Sequence, residues 1–282
     1  MGDFILSAFA DEYCDSFEEQ LKALNRFGIG YIEIRHVDGK NISVLTETEV
    51  KEAKAKLDFF GIKASAVGSP IGKIRLGGDI GAHLESAGKV FEAANILGAK
   101  YVRIFSFYAP EGKGKSITEM KTEVFENLGK LITLARKYGV TLCHENEAMI
   151  YGDIPSRCRE IMDFFGGEIK CVFDMGNFVL ENTETYAEAY EILKDYIAYF
   201  HIKDALYKGA IVPPGKGEAK IKEIIEAHKK YSKQDFFVSL EPHLQTFSGL
   251  NALVGRSFEN PYKYKDTKSA FSDAVTKFRE LF

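Results

Sequence analysis

Residues 101–147 read YVRIFSFYAPEGKGKSITEMKTEVFENLGKLITLARKYGVTLCHENE and contain one complete structural unit of the chain. Tyr101–Phe107 and Thr141–Glu145 are short runs rich in apolar and β-forming residues, as in buried strands. Between them, apolar residues recur at steps of three or four, the spacing of one helix face. These residues are Ile117, Met120, Val124, Leu128, Leu131 and Ala135. Gly139 follows this pattern, where glycine commonly ends a helix. The stretch predicts a strand, a helix and a second strand.

The same unit recurs along the whole chain. Its 282 residues divided among eight apolar runs give about 35 residues per unit, which suits a strand, a helix and two loops. The predicted strands are Phe4–Phe9, Tyr31–Val37, Ile62–Val67, Tyr101–Phe107, Thr141–Glu145, Ile169–Asp174, Ile197–Ile202 and Phe236–Leu240. This alternation predicts an α/β fold, a (β/α)8 TIM barrel, with a single domain over residues 1–282. The alternative fold is an open doubly wound sheet, which favours a glycine-rich turn after the first strand. Residues 8–12 read AFADE and contain no glycine, which favours the barrel.

Composition and charge narrow the class of protein. With 37 basic and 41 acidic residues the net charge is −4, which argues against a nucleic-acid-coating role. No apolar run approaches the roughly 20 residues of a membrane span, and the N-terminal residues lack a signal-peptide pattern. The 4 cysteines have no CxxC spacing, so we expect reduced thiols in a cytoplasmic protein. The sequence is compatible with a monomer or a homo-oligomer.

The fifth to eighth predicted strands each end in a carboxylate or an imidazole. These residues are Glu145, Asp174, His201 and Glu241. The C-terminal ends of barrel strands carry the chemistry in this fold, so the side chains are expected to meet. Three carboxylates at one barrel mouth would repel strongly, and a divalent cation removes that cost. The donor set suits Mn²⁺ or Mg²⁺, with Co²⁺ and Zn²⁺ also compatible. A purely structural acidic cluster is the alternative.

Strand alternation adds further polar residues at the same mouth, because side chains two apart share a face. We expect Glu147 at the rim, Lys203 against substrate or a carboxylate, and His243 against a substrate hydroxyl or as a loop cap. Glu33 and Arg35 share a face and are expected to pair with each other.

Two further segments carry expectations. His228, followed by two lysines, is expected on a solvated helix face. The stretch 245–265 lacks a periodic pattern and is expected to be either a lid or a surface excursion.

The motifs at these strand ends resemble the xylose isomerase-like TIM-barrel superfamily, and within it the sugar phosphate isomerase/epimerase group. They are Leu142–Asn146, Phe173–Asn177, His201–Asp204, Pro214–Glu218 and Leu240–Glu241. The resemblance runs over nearly the whole chain. It implies a small-molecule sugar substrate and one divalent metal ion, most readily Mn²⁺. The implied metal ligands are Glu145, Asp174, His201 and Glu241.

The resemblance also implies a reaction. In the superfamily's ketose 3-epimerases the two ligand glutamates act as acid and base, which assigns these roles here to Glu145 and Glu241. The expected activity is a metal-dependent sugar isomerase or epimerase that transfers protons through a metal-bound enediolate. Loss of a β-hydroxyl from the same intermediate would instead make a lyase of the inosose dehydratase kind. A non-catalytic sugar-binding barrel is the third reading.

The chain departs from the epimerase pattern at two positions. Asn177 stands where those enzymes carry a histidine, and Tyr207 where they carry an arginine. The remaining candidates for substrate contact are Asn177, Lys203, His243, Arg103 and Glu147. Arg103, inside a strand run, is expected either to hold Glu145 or Glu33 or to meet a sugar oxygen. The superfamily's endonuclease IV-like enzymes bind three zinc ions through extra histidines, and Asn177 replaces one of them, which argues against DNA as a substrate.

Overall fold

The computed structural model describes residues 1–110, 117–207, 209–245 and 261–282. Eight parallel strands form one sheet with the hydrogen-bonded order β1-β8-β7-β6-β5-β4-β3-β2. They are β1 (Phe4–Ala8), β2 (Tyr31–Ile34), β3 (Lys63–Val67), β4 (Tyr101–Ile104), β5 (Thr141–Glu145), β6 (Ile169–Asp174), β7 (Ile197–Ile202) and β8 (Phe236–Leu240). Strands β1 and β2 lie side by side, so the sheet curls into a nearly closed barrel. The predicted TIM-barrel fold is confirmed.

Helices surround the sheet and bury its outer face. They are α1 (Phe17–Arg26), α2 (Glu47–Phe60), α3 (Ile80–Leu97), α4 (Ile117–Tyr138), α5 (Pro155–Phe164), α6 (Met175–Leu180), α7 (Glu191–Leu193), α8 (Ile221–Tyr231) and α9 (Thr267–Arg279). Local sequence sets their ends: Thr46 and Glu49 form a reciprocal capping box at α2, and Gly61 ends that helix with φ +67°. Within the described ranges, no helix is both long and apolar enough to cross a bilayer.

Two predicted strands are longer than the observed ones. β2 ends at Ile34, and the chain turns into a short antiparallel ribbon in which His36–Val37 pairs with Lys40–Asn41. β4 ends at Ile104, because the Phe105 amide leaves the ladder and donates to Ile71 O at 2.8 Å. The other six strands agree with the predicted ranges to within one residue.

The proposed lid over 245–265 falls largely on residues 246–260, which lie outside the described residues.

Phe9 forms the floor of the barrel mouth. Its ring is fully buried and lies beneath two guanidinium groups, with Arg35 Cζ 4.3 Å and Arg103 Cζ 5.2 Å from the ring centroid. Gly68 makes room for the ring, because a Cβ at this position would lie 2.4 Å from Phe9 Cε1. This packing places two buried arginines directly beside the C-terminal ends of β5 and β8.

Candidate active site

The four residues predicted from the strand ends converge in one buried cluster. Glu145 ends β5, Asp174 ends β6, His201 lies on β7 and Glu241 follows β8. The ladder pairs Asp174 with His201, which sets them at the same height. One donor atom from each of the four residues lies within 4.8 Å of all the others. All four side chains are buried, so the cluster offers three carboxylates and one imidazole to a shared point.

His201 is held between two sides of the barrel. Its Nδ1 lies 3.0 Å from Glu145 Oε1 and 3.4 Å from Glu241 Oε2, whereas Nε2 lies 3.1 Å from Glu33 Oε2. Burial alone lowers the pKa of His201, but the negative charges of Glu33 and Glu145 raise it well above its usual value. The imidazole therefore presents Nδ1 to the cluster and Nε2 to Glu33.

Basic side chains, Lys203 and Arg103 among them, neutralise part of the cluster's negative charge. Lys203 Nζ lies 2.8 Å from Asp174 Oδ2 and 3.1 Å from Glu241 Oε2, and it also donates to Asn177 Oδ1 at 3.1 Å. Arg103 Nη1 lies 3.1 Å from Glu145 Oε2 and 3.5 Å from Glu241 Oε1. Arg103 thus holds Glu145, one of the two partners expected for it.

These contacts set the protonation of the acids. Burial raises the pKa of Glu145, but His201 and Arg103 lower it to about 2. Burial also raises the pKa of Glu241, but Lys203 and the neighbouring histidines lower it well below its ordinary value. Burial raises the pKa of Asp174 to about 7 despite the opposing charge of Lys203. Glu145 and Glu241 are therefore carboxylates at neutral pH.

The expected pair between Glu33 and Arg35 is wrong. Arg35 Nε and Nη2 hold Asp11 at 2.8 and 3.0 Å, and its Nη1 holds Glu241 Oε1 at 2.8 Å. Although the two side chains start on one strand face, each finds a partner on another element, and Glu33 bonds His201 instead.

Sequence reasoning missed Asp11 and Glu12 as members of this region. Both are buried just beyond β1, and Glu12 lies 3.5 Å from the guanidinium of Arg35. Burial raises the pKa of Glu12 to about 8 against the opposing charge of Arg35. The rule that found Glu145, acids directly after an apolar strand, would also have found these two residues.

Of the remaining predicted substrate residues, Asn177 and His243 lie beside the cluster and Glu147 lies at the rim. Asn177, on α6, donates to Asn146 O at 2.8 Å and approaches Glu145 Oε1 at 3.5 Å. His243 caps the loop after β8: its amide donates to Glu12 Oε2 at 2.8 Å, and its backbone has φ +48°. Glu147 lies farther out, where its part-exposed carboxylate pairs with Lys73 Nζ at 3.1 Å. His228, by contrast, is buried rather than solvated.

The donor set fits a divalent cation. Three carboxylates and one imidazole are hard donors of the kind that bind Mn²⁺, Mg²⁺ or Zn²⁺. Among the described residues, Glu145 Oε2 and Glu241 Oε2 are buried without a hydrogen-bond partner, and they lie near Arg103, and near Lys203 and His201, respectively. Acceptor atoms in that position can bind a metal ion without breaking a hydrogen bond. The cluster could therefore hold a metal.

Comparison with known proteins identifies relatives of the same architecture. The chain is 29% identical over 151 residues to a probable L-ribulose-5-phosphate 3-epimerase, UlaE, from Mycoplasma pneumoniae, a match that covers 50% of this chain and 48% of the relative. The chain therefore matches about half the length of this curated relative.

Solved structures share the fold over the whole length. A D-allulose 3-epimerase from Methylomonas sp. has a TM-score of 0.76 at 15% identity, with 100% of this chain and 99% of that chain covered. The IOLI protein with a bound zinc atom has a TM-score of 0.74 at 19% identity, with 99% and 98% covered. At these identities the likeness shows the fold.

The family assignment follows from the sequence match over most of the chain. The profile of the family described as xylose isomerase-like TIM barrel matches residues 21–259, a range that contains all four residues of the buried cluster. The chain belongs to the xylose isomerase-like TIM-barrel family.

Proposed function

We propose that this protein is a divalent-metal-dependent sugar isomerase or epimerase, with Mn²⁺ as the preferred ion. The convergence of Glu145, Asp174, His201 and Glu241 within 4.8 Å of one another is the observation that carries the proposal. The names of the similar epimerases favour a sugar, or a related polyol ketone, as the substrate. A divalent ion held by the four residues would stabilise negative charge on a substrate carbonyl oxygen.

The two glutamates supply the proton transfer. Glu145 and Glu241 come from β5 and from the end of β8, so they approach the mouth from different sides of the cluster. Both are ionised at neutral pH. One carboxylate removes the proton next to the substrate carbonyl and later releases it to solvent, and the other returns a proton that it has first taken up from solvent. Return to the opposite face of the same carbon is epimerisation, and return to the neighbouring carbon is isomerisation.

The surrounding cations position the two glutamates and the substrate. Arg103 Nη1 contacts a carboxylate oxygen of each glutamate, which holds the pair at a fixed separation. Lys203 and Asn177 lie side by side next to Asp174 and are suited to bind substrate hydroxyl or carbonyl oxygens. His243 Nε2 lies 3.6 Å from Glu241 Oε1, whereas Glu147 lies at the rim, and both are assigned to hydroxyl groups of the sugar.

A substrate screen in deuterated water tests the proposal. Ketoses, aldoses and inososes are incubated with the Mn²⁺-loaded protein, and products are analysed by NMR and mass spectrometry. We expect solvent deuterium at the carbon next to the carbonyl of one substrate, with no loss of water. Glu145→Gln and Glu241→Gln should each lower turnover by at least about 100-fold, the usual contribution of an acid–base group. Glu226→Gln, on the outer surface of α8, serves as the matched control and should turn over normally.

Other results would point to the alternative readings. A dehydrated product would assign the protein as a lyase of the inosose dehydratase kind acting at the same cluster. A wild-type protein that binds a sugar but no metal, and that is unaffected by Glu145→Gln, would be a non-catalytic sugar-binding barrel.

A further inference from the structure

A buried carboxylate on the far side of the barrel lies against the cluster histidine. Glu33 is on β2, and His201 is on β7; around the nearly closed barrel, the shorter path between these strands passes β1 and β8. Glu33 Oε2 nevertheless lies 3.1 Å from His201 Nε2 across the barrel interior. Both side chains are essentially inaccessible to solvent, with exposed fractions of 1% and 0%. A hydrogen bond in such an environment is strong, and an unmet partner would be costly.

A second donor fixes Glu33. Tyr199 precedes His201 by two residues on β7, so its side chain faces the same barrel interior. Its hydroxyl donates to Glu33 Oε1 at 2.9 Å. Each oxygen of Glu33 thus takes a donor from β7, and the carboxylate is oriented by two groups from one strand. We assign the Glu33 oxygen that faces His201 as the acceptor, which places the hydrogen of that contact on Nε2.

We propose that Glu33, oriented by Tyr199, is a positioning residue that keeps the hydrogen of His201 on Nε2 and thereby makes Nδ1 the metal-binding nitrogen. Nδ1 is the ring nitrogen that faces the cluster, at 3.0 Å from Glu145 and 3.4 Å from Glu241. A metal ion bound at Nδ1 would displace the hydrogen from that nitrogen, and in the resulting neutral imidazole with Nε2–H the lone pair is on Nδ1. Without Glu33, the hydrogen could reside on Nδ1 and bond to Glu145, in competition with a cation.

This inference rests on the proposed metal site and adds a role for two residues that contact neither metal nor substrate. Partners that orient a metal-binding histidine typically change metal affinity by about 10- to 100-fold when they are removed. The wild-type protein, Glu33→Gln and Tyr199→Phe are therefore compared for Mn²⁺ affinity by competition with a fluorescent chelator. We expect binding to weaken by about tenfold or more in Glu33→Gln, and by less in Tyr199→Phe, because the latter retains the Glu33–His201 bond. The double variant should bind about as weakly as Glu33→Gln alone.

A matched control separates this effect from general damage to a buried tyrosine. Tyr190 is buried, and its hydroxyl lies 3.3 Å from Nδ1 of buried His228, away from the cluster. Tyr190→Phe removes the same kind of tyrosine–histidine contact and should leave Mn²⁺ affinity at the wild-type value. Thermal unfolding of every variant identifies any that fails to fold. If Glu33→Gln does not fold, the Mn²⁺ affinity of Tyr199→Phe still tests the proposal.

A spectroscopic measurement reports the nitrogen directly. Long-range ¹H–¹⁵N NMR of the Zn²⁺-loaded protein shows which ring nitrogen of His201 binds the metal and which carries the hydrogen. In the wild-type protein we expect the metal on Nδ1 and the hydrogen on Nε2. Metal bound through Nε2, or wild-type Mn²⁺ affinity in both folded variants, would overturn the positioning role while leaving the proposed function intact. A wild-type protein that binds no divalent ion would instead remove the proposed function, and this inference with it.

Discussion

The ammonium group of Lys203 lies 2.8 Å from Asp174 Oδ2, and both side chains are buried. Burial lowers the pKa of Lys203, but the charges of Asp174 and Glu241 raise it above its usual value, so the lysine stays protonated. Three carboxylates share this region, and Lys203 contacts two of them. The ammonium therefore stabilises charges that would otherwise repel one another.

Lys203→Met should destabilise the protein in the presence of a chelator. Removal of one partner from a buried ion pair leaves an uncompensated charge and typically costs about 3–5 kcal/mol. We expect a loss of about 3 kcal/mol in the free energy of unfolding, measured by urea denaturation at pH 8, where Asp174 is ionised. Asp174→Asn and the double variant complete a thermodynamic cycle. The double variant should lose less than the sum of the two single losses, and strict additivity would contradict the pairing.

Glu147→Gln should alter substrate binding more than turnover. Glu147 lies at the rim and pairs with Lys73, at a distance from the buried cluster. Loss of one charged contact to a substrate hydroxyl corresponds to roughly a tenfold increase in KM. Steady-state kinetics on the substrate identified in the screen measures this, with Mn²⁺ stoichiometry as a parallel readout. Lys73→Gln breaks the same ion pair from the other side and should have a smaller effect. An unchanged KM with a lower kcat would argue against a rim contact.

Gly68→Ala should destabilise the floor of the site. The added Cβ would lie 2.4 Å from Cε1 and 2.9 Å from Cζ of Phe9, so the ring or the strand end has to move. Overpacking of this kind costs about 1–3 kcal/mol, and the displaced ring would disturb the two arginines that stack on it. Gly30→Ala meets nothing within 4 Å and serves as the control in chemical denaturation. Equal stability of the two variants would show that Phe9 adjusts without strain.

The part of the site that follows from local sequence was predictable. Glu145, Asp174, His201 and Glu241 each follow an apolar run, and their spacing matches successive strand–helix units, so the fold alone brings them together. The supporting contacts were not predictable in this way. Arg35 bonds a glutamate 206 residues away, and Glu33 bonds a histidine 168 residues away, both across the barrel interior. Residue periodicity assigns a face to such side chains but does not choose among the partners on that face.

The predicted exposure of His228 is wrong, because the prediction gave more weight to the two lysines after it than to the helical spacing of the apolar residues before it. The lysines after it suggested a solvated face, yet Ile221, Ile224 and Ile225 precede it at spacings of seven, four and three residues. That spacing places His228 on the buried stripe of α8, where the structure has it. Aromatic rings surround it, with the ring centroids of Phe236 and Phe200 at 4.7 and 4.9 Å.

This burial makes His228 a source of acid sensitivity. Burial lowers the pKa of His228 from 6.5 to about 4, because the apolar site disfavours the imidazolium. The folded-state pKa lies below the unfolded-state value, so the unfolded chain binds a proton that the folded protein rejects. The stabilisation from a neutral His228 is complete above about pH 6.5 and is lost as the pH falls toward 4. At pH 5 the loss amounts to about 2 kcal/mol.

His228→Phe should therefore flatten the pH dependence of stability. The loss of the free energy of unfolding between pH 7 and pH 5, measured by urea denaturation, should be about 2 kcal/mol smaller than in the wild-type protein. Tyr190 loses a hydrogen-bond partner in this variant, but that cost applies equally at both pH values and cancels in the difference. Lys230→Gln, an exposed change on the same helix, should retain the wild-type pH dependence. An identical acid sensitivity in His228→Phe and the wild type would show that other groups cause it, foremost His144, whose pKa burial also lowers to about 4.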